Sequence, residues 1–508
     1  MSGTRSLLQH DEANSTWLAN VHPSDWRAPV PADRYHLVVV GAGTAGLIAA
    51  SFAAGAGARV ALLERHLLGG DCLNVGCVPS KALIRSARAA SEVRAAGSFG
   101  VRVPATARTD FGAVMRRMRE LRARISTHDS ARRYRDEFGV DVFFGEASFT
   151  NPGEIETEGR ALRFRRAVIA TGSRPGLPPL PGLAEARPLT NESLFDLTEC
   201  PARLAVIGAG PIGCEMAQSF RRFGSEVMLF DTASQILTRE DRDAAELVQR
   251  ALEADGVGMR LGSTIERADG SGAEKQLVFR DREGRRETLR VDQILVAAGR
   301  IPNLEGLGLE RAGIRCDEGG ALLVDDRLRT TNPRIYAAGD VCLEARFTHA
   351  AEASARIAVR NALFLGRKRV SALVMPWTTY TDPELAHVGL SEAEAGRRGI
   401  PITTYCTPLS SVDRAVLSGE DEGFLKLHLR RGSDRILGAT LVSRNAGELV
   451  SQITLAMTAG VGLSKLYDVI YPYPTTAELV KRTAGAYLRT RLTPRAQKLL
   501  ALWWRLRR

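Results

Sequence analysis

The segment LVVVGAGTAG, residues 37–46, joins an apolar strand to the glycine pattern Gly41-x-Gly43-x-x-Gly46. A helical pattern follows, and a second apolar strand, ARVALLE, ends at Glu64. In a dinucleotide-binding β–α–β unit, the first glycine permits a tight turn, the second lets the backbone approach a pyrophosphate, and the third lets the helix pack on the strand. The phosphates lie at the helix N-terminus, and the terminal carboxylate can accept a hydrogen bond from a ribose hydroxyl. The segment therefore predicts a dinucleotide-binding unit.

The same pattern returns in RLAVIGAGPIG, where Gly208, Gly210 and Gly213 precede a strand that ends at Asp231. In both copies the acidic residue lies 23 residues after the first glycine. One such pattern is weak evidence, but two copies with one spacing predict that the chain binds two dinucleotides, or one dinucleotide twice. Asp231 favours NADH, because a carboxylate pairs with a free 2′-hydroxyl and repels a 2′-phosphate. Arg239 is near enough in sequence to keep NADPH as an alternative.

The segment GGDCLNVGCVPSKA holds Cys72 and Cys77 with four residues between them. A metal site is one interpretation, but only His66 lies nearby and the chain has no second cysteine pair of zinc-binding spacing. Two inert cysteines are another interpretation. A redox pair is the third, because a helix predicted to open at the following PSK, with Lys81, would lower a thiol pKa. The position one short loop after the first glycine motif favours the redox pair, which would store two electrons as a dithiol or a disulfide.

Composition and charge narrow the class of protein. The 508 residues carry a net charge of +11, which could suggest a nucleic-acid or an anionic membrane partner. The densest basic run, residues 116–138, interleaves acids and apolar residues at helical spacing, so we interpret it as a surface helix and expect no nucleic-acid partner. The sequence has too few cysteines for a disulfide scaffold and no signal peptide at its start, so we expect a cytoplasmic protein. The remaining cysteines are expected to be structural: Cys200, Cys214, Cys316, Cys342 and Cys406.

The cysteine segment resembles the active-site segment of the flavin-dependent pyridine nucleotide–disulfide oxidoreductases, a family that includes dihydrolipoamide dehydrogenase, glutathione reductase and mercuric reductase. The likeness continues through residues 35–490 in a fixed order. VIATGSRP resembles the family's return to the flavin domain, and VAAGRIPN its crossover after the nicotinamide domain. IYAAGDV resembles the second flavin contact, and YTDPELAHVGLSE the opening of the dimerisation domain.

The resemblance implies an α/β fold with two Rossmann-like domains, the NAD(P) domain inserted in the FAD domain, and a C-terminal α+β dimerisation domain. It also implies a homodimer. The expected boundaries are 1–34 for an N-terminal extension, 35–175 and 298–370 for the FAD domain, 176–297 for the NAD(P) domain, 371–490 for the dimerisation domain and 491–508 for a basic amphipathic tail.

The resemblance also assigns site residues. Cys77 would be the thiolate that faces the flavin, Cys72 the thiol that meets the acceptor, and Lys81 and Glu215 an ion pair beside the flavin ring. One FAD per subunit would be held by Gly41, Gly43, Gly46, Glu64, Lys81, Thr171, Gly172, Gly299 and Asp340. The nicotinamide dinucleotide would be held by Gly208, Gly210, Gly213 and Asp231.

The sequence departs from the family's disulfide reductases at the residue expected to complete the partner subunit's site. Where those enzymes have a His followed five residues later by Glu, this chain has Tyr473 and Glu478. A phenol is a poor base at neutral pH, whereas mercuric reductases have a Tyr at this place. Asp71 stands where many members have Thr, and we expect its charge to oppose a thiolate at Cys72. No cysteine follows Cys406, although mercuric reductases usually end in a cysteine pair.

These features favour a mercuric reductase-like enzyme that passes electrons from NADH, through FAD and the dithiol, to a thiophilic metal ion or a related acceptor. No structural metal site is expected, and the two cysteines could hold Hg(II) only transiently. One alternative is a dihydrolipoamide dehydrogenase-like disulfide oxidoreductase. Another is a membrane-associated binding or redox-sensing flavoprotein with little turnover, which the missing His and the missing C-terminal cysteines suggest. Its membrane contact would come from the tail 491–508, which mixes leucines and tryptophans with basic residues.

Overall fold

The structure is a computed structural model that describes residues 11–270, 272 and 274–507. Residues 1–10 of the expected N-terminal extension and residue 508 of the tail lie outside the described residues. The α-helices are α1 Glu12–Val21, α2 Thr44–Gly55, α3 Gly70–Asn74, α4 Cys77–Ala95, α5 Phe111–Ser126, α6 Ala131–Asp136, α7 Asn191–Leu194, α8 Pro211–Phe223, α9 Arg242–Ala254, α10 Thr348–Leu363, α11 Glu392–Arg397, α12 Asp413–Ser418, α13 Ala446–Ala459, α14 Leu463–Tyr467, α15 Glu478–Arg491 and α16 Pro494–Leu506.

The strands of the described residues are β1 Tyr35–Val40, β2 Val60–Glu64, β3 Asp141–Phe144, β4 Ala147–Asn151, β5 Glu154–Thr157, β6 Arg160–Ile169, β7 Ser173–Pro175, β8 Arg203–Ile207, β9 Glu226–Asp231, β10 Gly258–Leu261, β11 Thr264–Asp269, β12 Lys275–Arg280, β13 Arg286–Val291, β14 Gln293–Val296, β15 Arg300–Pro302, β16 Ile335–Ala337, β17 Pro376–Thr379, β18 Glu384–Gly389, β19 Ile402–Pro408, β20 Phe424–Arg430 and β21 Ile436–Ser443.

The first sheet is built around β1, the strand before the first glycine motif. β1 pairs in parallel with β2 and β6, β3 extends the sheet beyond β2, and β16 pairs with β6. Side chains alternate between the two faces of a strand, and here both faces are covered. Leu37 and Val39 pack in the cluster that holds α2 and α10, whereas Val38 and Val40 pack in the cluster on the other face. The apolar run of β1 is therefore a buried parallel strand, as predicted.

The second glycine motif follows the same construction. β8 pairs in parallel with β9 and β14, and β10 extends the sheet beyond β9. β11, β12 and β13 form a separate antiparallel sheet. The helix that follows Cys77, α4, packs on α8 and α5 and contributes to one apolar cluster with them. The helix that begins at Cys77 is therefore packed against the helix of the second glycine motif.

The C-terminal part contains an antiparallel sheet in the order β17-β18-β21-β20-β19. Helices α13 and α15 cover its apolar side. The three architectural parts confirm the predicted α/β class with an added α+β unit. β8–β14 lie within residues 176–297 and β17–β21 within 371–490, but the domain boundaries themselves stay a prediction.

The basic run of residues 116–138 differs from the single surface helix that was predicted. α5 ends at Ser126, and a separate helix, α6, begins at Ala131. Arg119 and Arg122 of α5 are buried, because helix α1 covers this side of α5. The acids and apolar residues in the run therefore reflect two helices packed on the first domain.

The tail forms α16, whose residues are all at least partly exposed within one subunit. Its exposed apolar side chains are Leu499, Leu500, Leu502, Trp503, Trp504 and Leu506. Among the helices of the described ranges, none is both long enough and apolar enough to cross a bilayer.

Candidate active site

The first glycine motif forms a turn in which two glycines are required by the fold. Gly41 has φ +98°, and a Cβ there would lie 2.5 Å from the Ala170 carbonyl oxygen. A Cβ on Gly46 would lie 1.7 Å from the Gly41 carbonyl oxygen. Gly43, the N-cap of α2, has only the Gly70 Cα near the Cβ position, at 3.6 Å, and no side chain caps the helix. The free N–H groups of α2 could therefore hold the pyrophosphate of FAD.

The second glycine motif repeats this geometry. Gly208 has φ +106°, and a Cβ on Gly213 would lie 1.8 Å from the Gly208 carbonyl oxygen. Nothing lies within 4 Å of a Cβ at Gly210, which caps α8 without a side-chain hydrogen bond. The open position is again the middle glycine, so this turn could hold the pyrophosphate of a nicotinamide dinucleotide.

The predicted acidic residues lie at the ends of β2 and β9 and are tied to the glycine turns. Glu64 Oε2 accepts from Ala42 N at 2.8 Å, and Asp231 Oδ2 accepts from Ala209 N at 2.7 Å. Burial raises the pKa of Glu64 against the backbone hydrogen bonds that favour its charge. Within the described ranges, no Lys or Arg nitrogen lies within 4.0 Å of the Asp231 carboxylate, so Arg239 does not pair with it.

Cys72 and Cys77 come together at the start of α4. Cys72 lies in α3, and α4 begins at Cys77 itself, two residues earlier than the PSK start that was predicted. A hydrogen bond from the Cys72 thiol, supported by the charge of Lys81, lowers the pKa of Cys77 to about 6. The same hydrogen bond, together with burial, raises the pKa of Cys72. The pair is therefore asymmetric, with a thiolate at Cys77 and a thiol at Cys72 at neutral pH.

The two cysteines are free thiols in this structure, and Cys77 has a partner that the sequence did not reveal. Thr348, the first residue of α10, places its Oγ1 3.3 Å from the Cys77 sulfur, although the residues are 271 positions apart. In the part of the chain that the structure describes, no group of three or more His, Cys, Asp or Glu side chains could hold a metal ion. The hydrogen bond of Thr348 adds to those groups that lower the pKa of Cys77.

Of the other cysteines, Cys214 is buried, and Cys200 and Cys342 are half-buried. Cys316 and Cys406 are exposed. Core packing therefore does not account for these last two, contrary to the structural role that the sequence suggested.

Lys81 and Glu215 form an ion pair next to the cysteines, with Lys81 Nζ 2.9 Å from Glu215 Oε2. Glu215 is 4% exposed, and its Oε1 accepts from Tyr380 N at 2.9 Å. Lys81 Nζ also lies 4.5 Å from the centre of the Tyr380 ring. Burial disfavours the charged lysine, but the charges of Glu215 and Cys77 outweigh it and raise the Lys81 pKa. The charged lysine in turn stabilises the Cys77 thiolate.

Asp340 lies in a polar network beside the glycine turn. Its Oδ2 accepts from Ser173 Oγ at 2.7 Å, and Arg300 Nε donates to the same Ser173 Oγ at 2.7 Å. Arg300 also forms an ion pair with Asp71. The charges that raise the pKa of Cys72 are those of Cys77 and, more weakly, Asp129. The predicted effect of Asp71 on Cys72 stays a prediction, and the ion pair with Arg300 offsets part of the Asp71 charge.

The two predicted crossover motifs meet. Thr171 Oγ1 donates to the Asn303 carbonyl at 2.7 Å, and Asn303 N donates to the Gly172 carbonyl at 3.0 Å. The Gly299 carbonyl accepts from Gly176 N at 3.1 Å. Both connections between the sheets therefore lie side by side, next to the Asp340 network.

Tyr473 and Glu478 do not join this site within one subunit. Tyr473 is 69% exposed, and its hydroxyl donates to Asp413 Oδ2 at 3.1 Å. That hydrogen bond and the Asp413 charge raise the pKa of Tyr473. Glu478 begins α15, and its buried Oε2 has no hydrogen-bond partner among the described residues. The exposed tyrosine is accessible to a second subunit.

Comparison with known proteins gives consistent matches along most of the chain. The family model "Pyridine nucleotide-disulphide oxidoreductase" matches residues 35–356, and the dimerisation-domain model of the same family matches residues 375–484. The mercuric reductase of Staphylococcus aureus is 35% identical over 455 residues, which cover 89% of this chain and 82% of that protein. The dihydrolipoyl dehydrogenase of Thermus scotoductus is 36% identical over 470 residues, which cover 89% of this chain and 97% of that protein.

A solved structure has the same fold. The Cu(II) complex of the HOCl-induced flavoprotein disulfide reductase RclA from Escherichia coli aligns with a TM-score of 0.79 at 30% sequence identity. The alignment covers 90% of this chain and 100% of that one.

Proposed function

The chain belongs to the pyridine nucleotide-disulphide oxidoreductase family, and on that premise we propose that it passes electrons from NADH to a thiophilic metal ion, Hg(II) or Cu(II). The family carries out flavin-dependent disulfide oxidoreduction. The chain also contains the dimerisation domain of this family. The acceptor is the proposed part. It rests on one observation, the exposed Tyr473 in the segment where related disulfide reductases have a basic histidine.

The residues present fit FAD and a nicotinamide dinucleotide. Residues 35–175 and 298–370 would form the FAD domain and 176–297 the NAD(P) domain. We assign to FAD the positions Gly41, Gly43, Gly46, Glu64, Thr171, Gly172, Gly299 and Asp340, with Lys81 beside its ring, and to the nicotinamide dinucleotide Gly208, Gly210, Gly213 and Asp231. The preference for NADH is supported by the carboxylate of Asp231, which would pair with a free 2′-hydroxyl and repel a 2′-phosphate.

FAD, when bound, would relay the two electrons of one NADH to the Cys72–Cys77 disulfide. Two electrons and one proton convert this disulfide to a thiolate at Cys77 and a thiol at Cys72. A bound Hg(II) ion then displaces the proton of Cys72. When the disulfide re-forms, the two electrons pass to one Hg(II) or to two Cu(II) ions, and the proton displaced from Cys72 is the only one that these steps release.

The proposal for the acceptor follows from how the proton of the Cys72 thiol can be removed. Reduction of a disulfide substrate needs a base that accepts a proton from the interchange thiol. Tyr473 cannot serve as this base at neutral pH, because the hydrogen bond to Asp413 raises its pKa and keeps the phenol protonated. A thiophilic metal ion needs no such base, since it displaces the proton of Cys72 directly. In a homodimer, Tyr473 and Glu478 would approach the cysteines of the partner subunit and contact the bound ion.

The test is anaerobic reduction of the FAD-loaded enzyme with NADH, followed by rapid mixing with an Hg(II)–thiolate complex, with Cu(II) or with lipoamide. Cys72→Ser should abolish reoxidation by the true acceptor, and Cys316→Ser, which changes an exposed cysteine outside the site, should not. Fast reoxidation of the flavin spectrum by either metal ion, with release of reduced metal, supports the proposal. Fast reoxidation by lipoamide alone would contradict it.

The second candidate is a dihydrolipoamide dehydrogenase-like activity, because relatives with that name are as similar as the mercuric reductases. It requires that another group replaces the missing histidine. Lipoamide turnover that is measurable in the wild type and rises in Tyr473→His would favour this candidate. No turnover in either form would exclude it.

We also propose that the enzyme is cytoplasmic and contacts an anionic membrane surface through α16. Residues 479–508 contain nine Lys or Arg residues and no Asp or Glu. Exposed Trp503 and Trp504 suit a membrane interface. Deletion of residues 494–508 should abolish co-sedimentation with anionic vesicles and leave turnover intact, whereas unchanged co-sedimentation would contradict the membrane contact. On this proposal the enzyme turns over whether or not it is bound to the membrane, which distinguishes it from a membrane-associated binding module with little turnover.

A further inference from the structure

Helix α1 lies outside the family match and covers the first domain next to the cysteine pair. It begins after Asp11, whose side chain caps the helix by accepting from Asn14 N at 2.8 Å. Asn14, Trp17 and Val21 are buried against α5 and the apolar cluster around β1. Arg119 of α5 forms an ion pair with Asp11 at 2.6 Å. The helix is therefore a docked element with both polar and apolar anchors.

Trp17 makes a direct hydrogen bond to residues 68–74, the segment that contains α3 and Cys72 and is called the cysteine loop below. Its Nε1 donates to Asn74 Oδ1 at 2.8 Å, and both residues are buried, with exposed fractions of 4% and 5%. Asn74 is the last residue of α3, two positions after Cys72 and three before Cys77. A tryptophan that needs a partner for its buried N–H thus obtains it from the segment between the two sulfurs.

Arg122 completes the contact from α5. This arginine is 1% exposed, and its two terminal nitrogens donate to the Asn74 carbonyl at 3.0 Å and to Asn14 Oδ1 at 2.9 Å. Its guanidinium carbon lies 3.8 Å from the centre of the Trp17 ring. Among the described residues, no carboxylate oxygen lies within 4.0 Å of it. The buried charge is therefore held by Trp17 and two amides, so these groups depend on one another.

The start of the cysteine loop is tied to the same helix. Leu68 N donates to the Val21 carbonyl at 3.1 Å, and Asn74 Nδ2 donates to the Leu68 carbonyl at 3.0 Å. Both ends of residues 68–74 are therefore fixed by α1, either directly or through Asn74. Cys72 lies between these two fixed points.

We propose that α1 positions the cysteine loop, and that Trp17 is a positioning residue that acts on Cys72 and Cys77 through Asn74. The inference rests on the proposed function for the role of the cysteines, but the contact itself does not depend on the acceptor. Without the Trp17 hydrogen bond, Asn74 can rotate and α3 can shift. The Cys72 thiol then donates less well to the Cys77 sulfur, and the thiolate loses part of its stabilisation.

The experiment compares Trp17→Phe with Trp26→Phe in the FAD-loaded full-length enzyme. Trp26 is a matched control, because its Nε1 donates to the Val142 carbonyl at 3.2 Å, away from the cysteine loop. The readout is the rate at which iodoacetamide alkylates Cys77 of the dithiol form as a function of pH, measured by mass spectrometry. Dithiothreitol, removed before alkylation, generates the dithiol form, so neither NADH nor an acceptor is needed. Thermal unfolding of both variants measures the purely structural effect.

We expect Trp17→Phe to move the midpoint to higher pH and to slow alkylation below that midpoint about fivefold, as for the loss of one hydrogen bond. Trp26→Phe should lower the Tm without moving the midpoint. Asn74→Ala, which leaves α1 unchanged, should give the same shift as Trp17→Phe, and the double variant should add nothing to it. Equal midpoints in Trp17→Phe, Trp26→Phe and wild type would overturn the inference alone. A wild-type midpoint near the ordinary thiol value of about 8.5 would overturn the proposed function as well.

Discussion

Lys81 Nζ lies 2.9 Å from Glu215 Oε2, and this ion pair joins the helix that begins at Cys77 to the helix that begins at the second glycine turn. The two residues are 134 positions apart in the chain. Since Glu215 is buried and also accepts from Tyr380 N, the pair links α4, α8 and the segment after β17. The lysine charge thus has a fixed position beside the reactive sulfur.

The first prediction concerns this ion pair. Glu215→Gln keeps the size of the side chain but removes its charge, so the pKa of Lys81 falls and its support for the thiolate weakens. Because the ion pair would lie beside the flavin ring, its loss should also slow flavin reduction by NADH. We expect a decrease of about tenfold, equivalent to about 1.4 kcal/mol in the barrier. Stopped-flow absorbance measures the rate. Glu246→Gln, in an exposed i,i+4 pair on α9, is the control and should retain the wild-type rate; a similar loss in both variants would contradict the role of the pair.

The second prediction concerns the two cysteines. The hydrogen bond from Cys72 is the largest cause of the low pKa of Cys77, about 6 in the wild type. Cys72→Ala removes this donor, so the pKa rises and the thiolate appears only at higher pH. Because a hydrogen bond to a charged group contributes about 1.5–3 kcal/mol, the midpoint should rise by about one to two pH units.

The long-wavelength absorption between thiolate and flavin, titrated against pH, reports this midpoint. Cys77→Ser should remove the absorption altogether. An absorption that survives in Cys77→Ser would show that the wrong sulfur has been assigned.

The third prediction concerns the location of Tyr473 in a dimer. Mixed dimers of a Cys77→Ser subunit and a Tyr473→Phe subunit would contain one intact site only if Tyr473 serves the partner's cysteines. After mixing in equal amounts and re-association, metal-ion reductase activity should then rise to about a quarter of the wild-type value, because about half of the dimers are mixed and each mixed dimer has one intact site in two. Activity no higher than the mean of the two parent homodimers would place the tyrosine outside the partner's site.

The fourth prediction concerns Glu240, a buried residue between the second domain and β17. Trp377 Nε1 donates to its Oε1 at 2.5 Å, while its buried Oε2 has no hydrogen-bond partner among the described residues. Burial raises the pKa of Glu240 to about 7. The folded protein therefore binds this proton more tightly than the unfolded chain, and its stability falls as pH rises from about 4.5 through 7.

Glu240→Gln keeps an acceptor for Trp377 and removes the titration. Its free energy of unfolding relative to wild type should increase by about 2–3 kcal/mol between pH 5 and pH 8. Urea unfolding at the two pH values measures this difference. Glu246→Gln should show no such pH dependence, and a constant difference for Glu240→Gln would mean that Glu240 is ionised throughout.

The parts of the site that could be predicted are those determined by short segments. Gly41 and Gly46 are required by the turn that they themselves form, and Cys77 lies at the first residue of a helix that its own neighbours form. Such constraints are local, so spacing along the chain reveals them. The resemblance to a known family supplied the pairing of Lys81 with Glu215, which no local pattern could have supplied.

The parts that could not be predicted depend on contacts between distant segments. Thr348 reaches Cys77 across 271 residues, and Arg300 neutralises Asp71 across 229 residues. The buried Arg122 appeared to be one solvated charge in a basic run, because nothing in that run indicates that α1 covers it. Each of these side chains is common on protein surfaces, so residue type gave no signal.

The hydrogen bonds of Asp231 have a consequence for protein engineering. If Asp231 selects NADH as proposed, a redesign toward NADPH would first remove its charge. Both oxygens of that carboxylate, however, accept backbone N–H groups, from Ala209 at 2.7 Å and from Ala233 at 2.8 Å. Replacement by alanine would therefore loosen the second glycine turn. A redesign that retains an acceptor, such as Asp231→Asn or Asp231→Ser with an arginine placed nearby, separates coenzyme choice from the integrity of the turn.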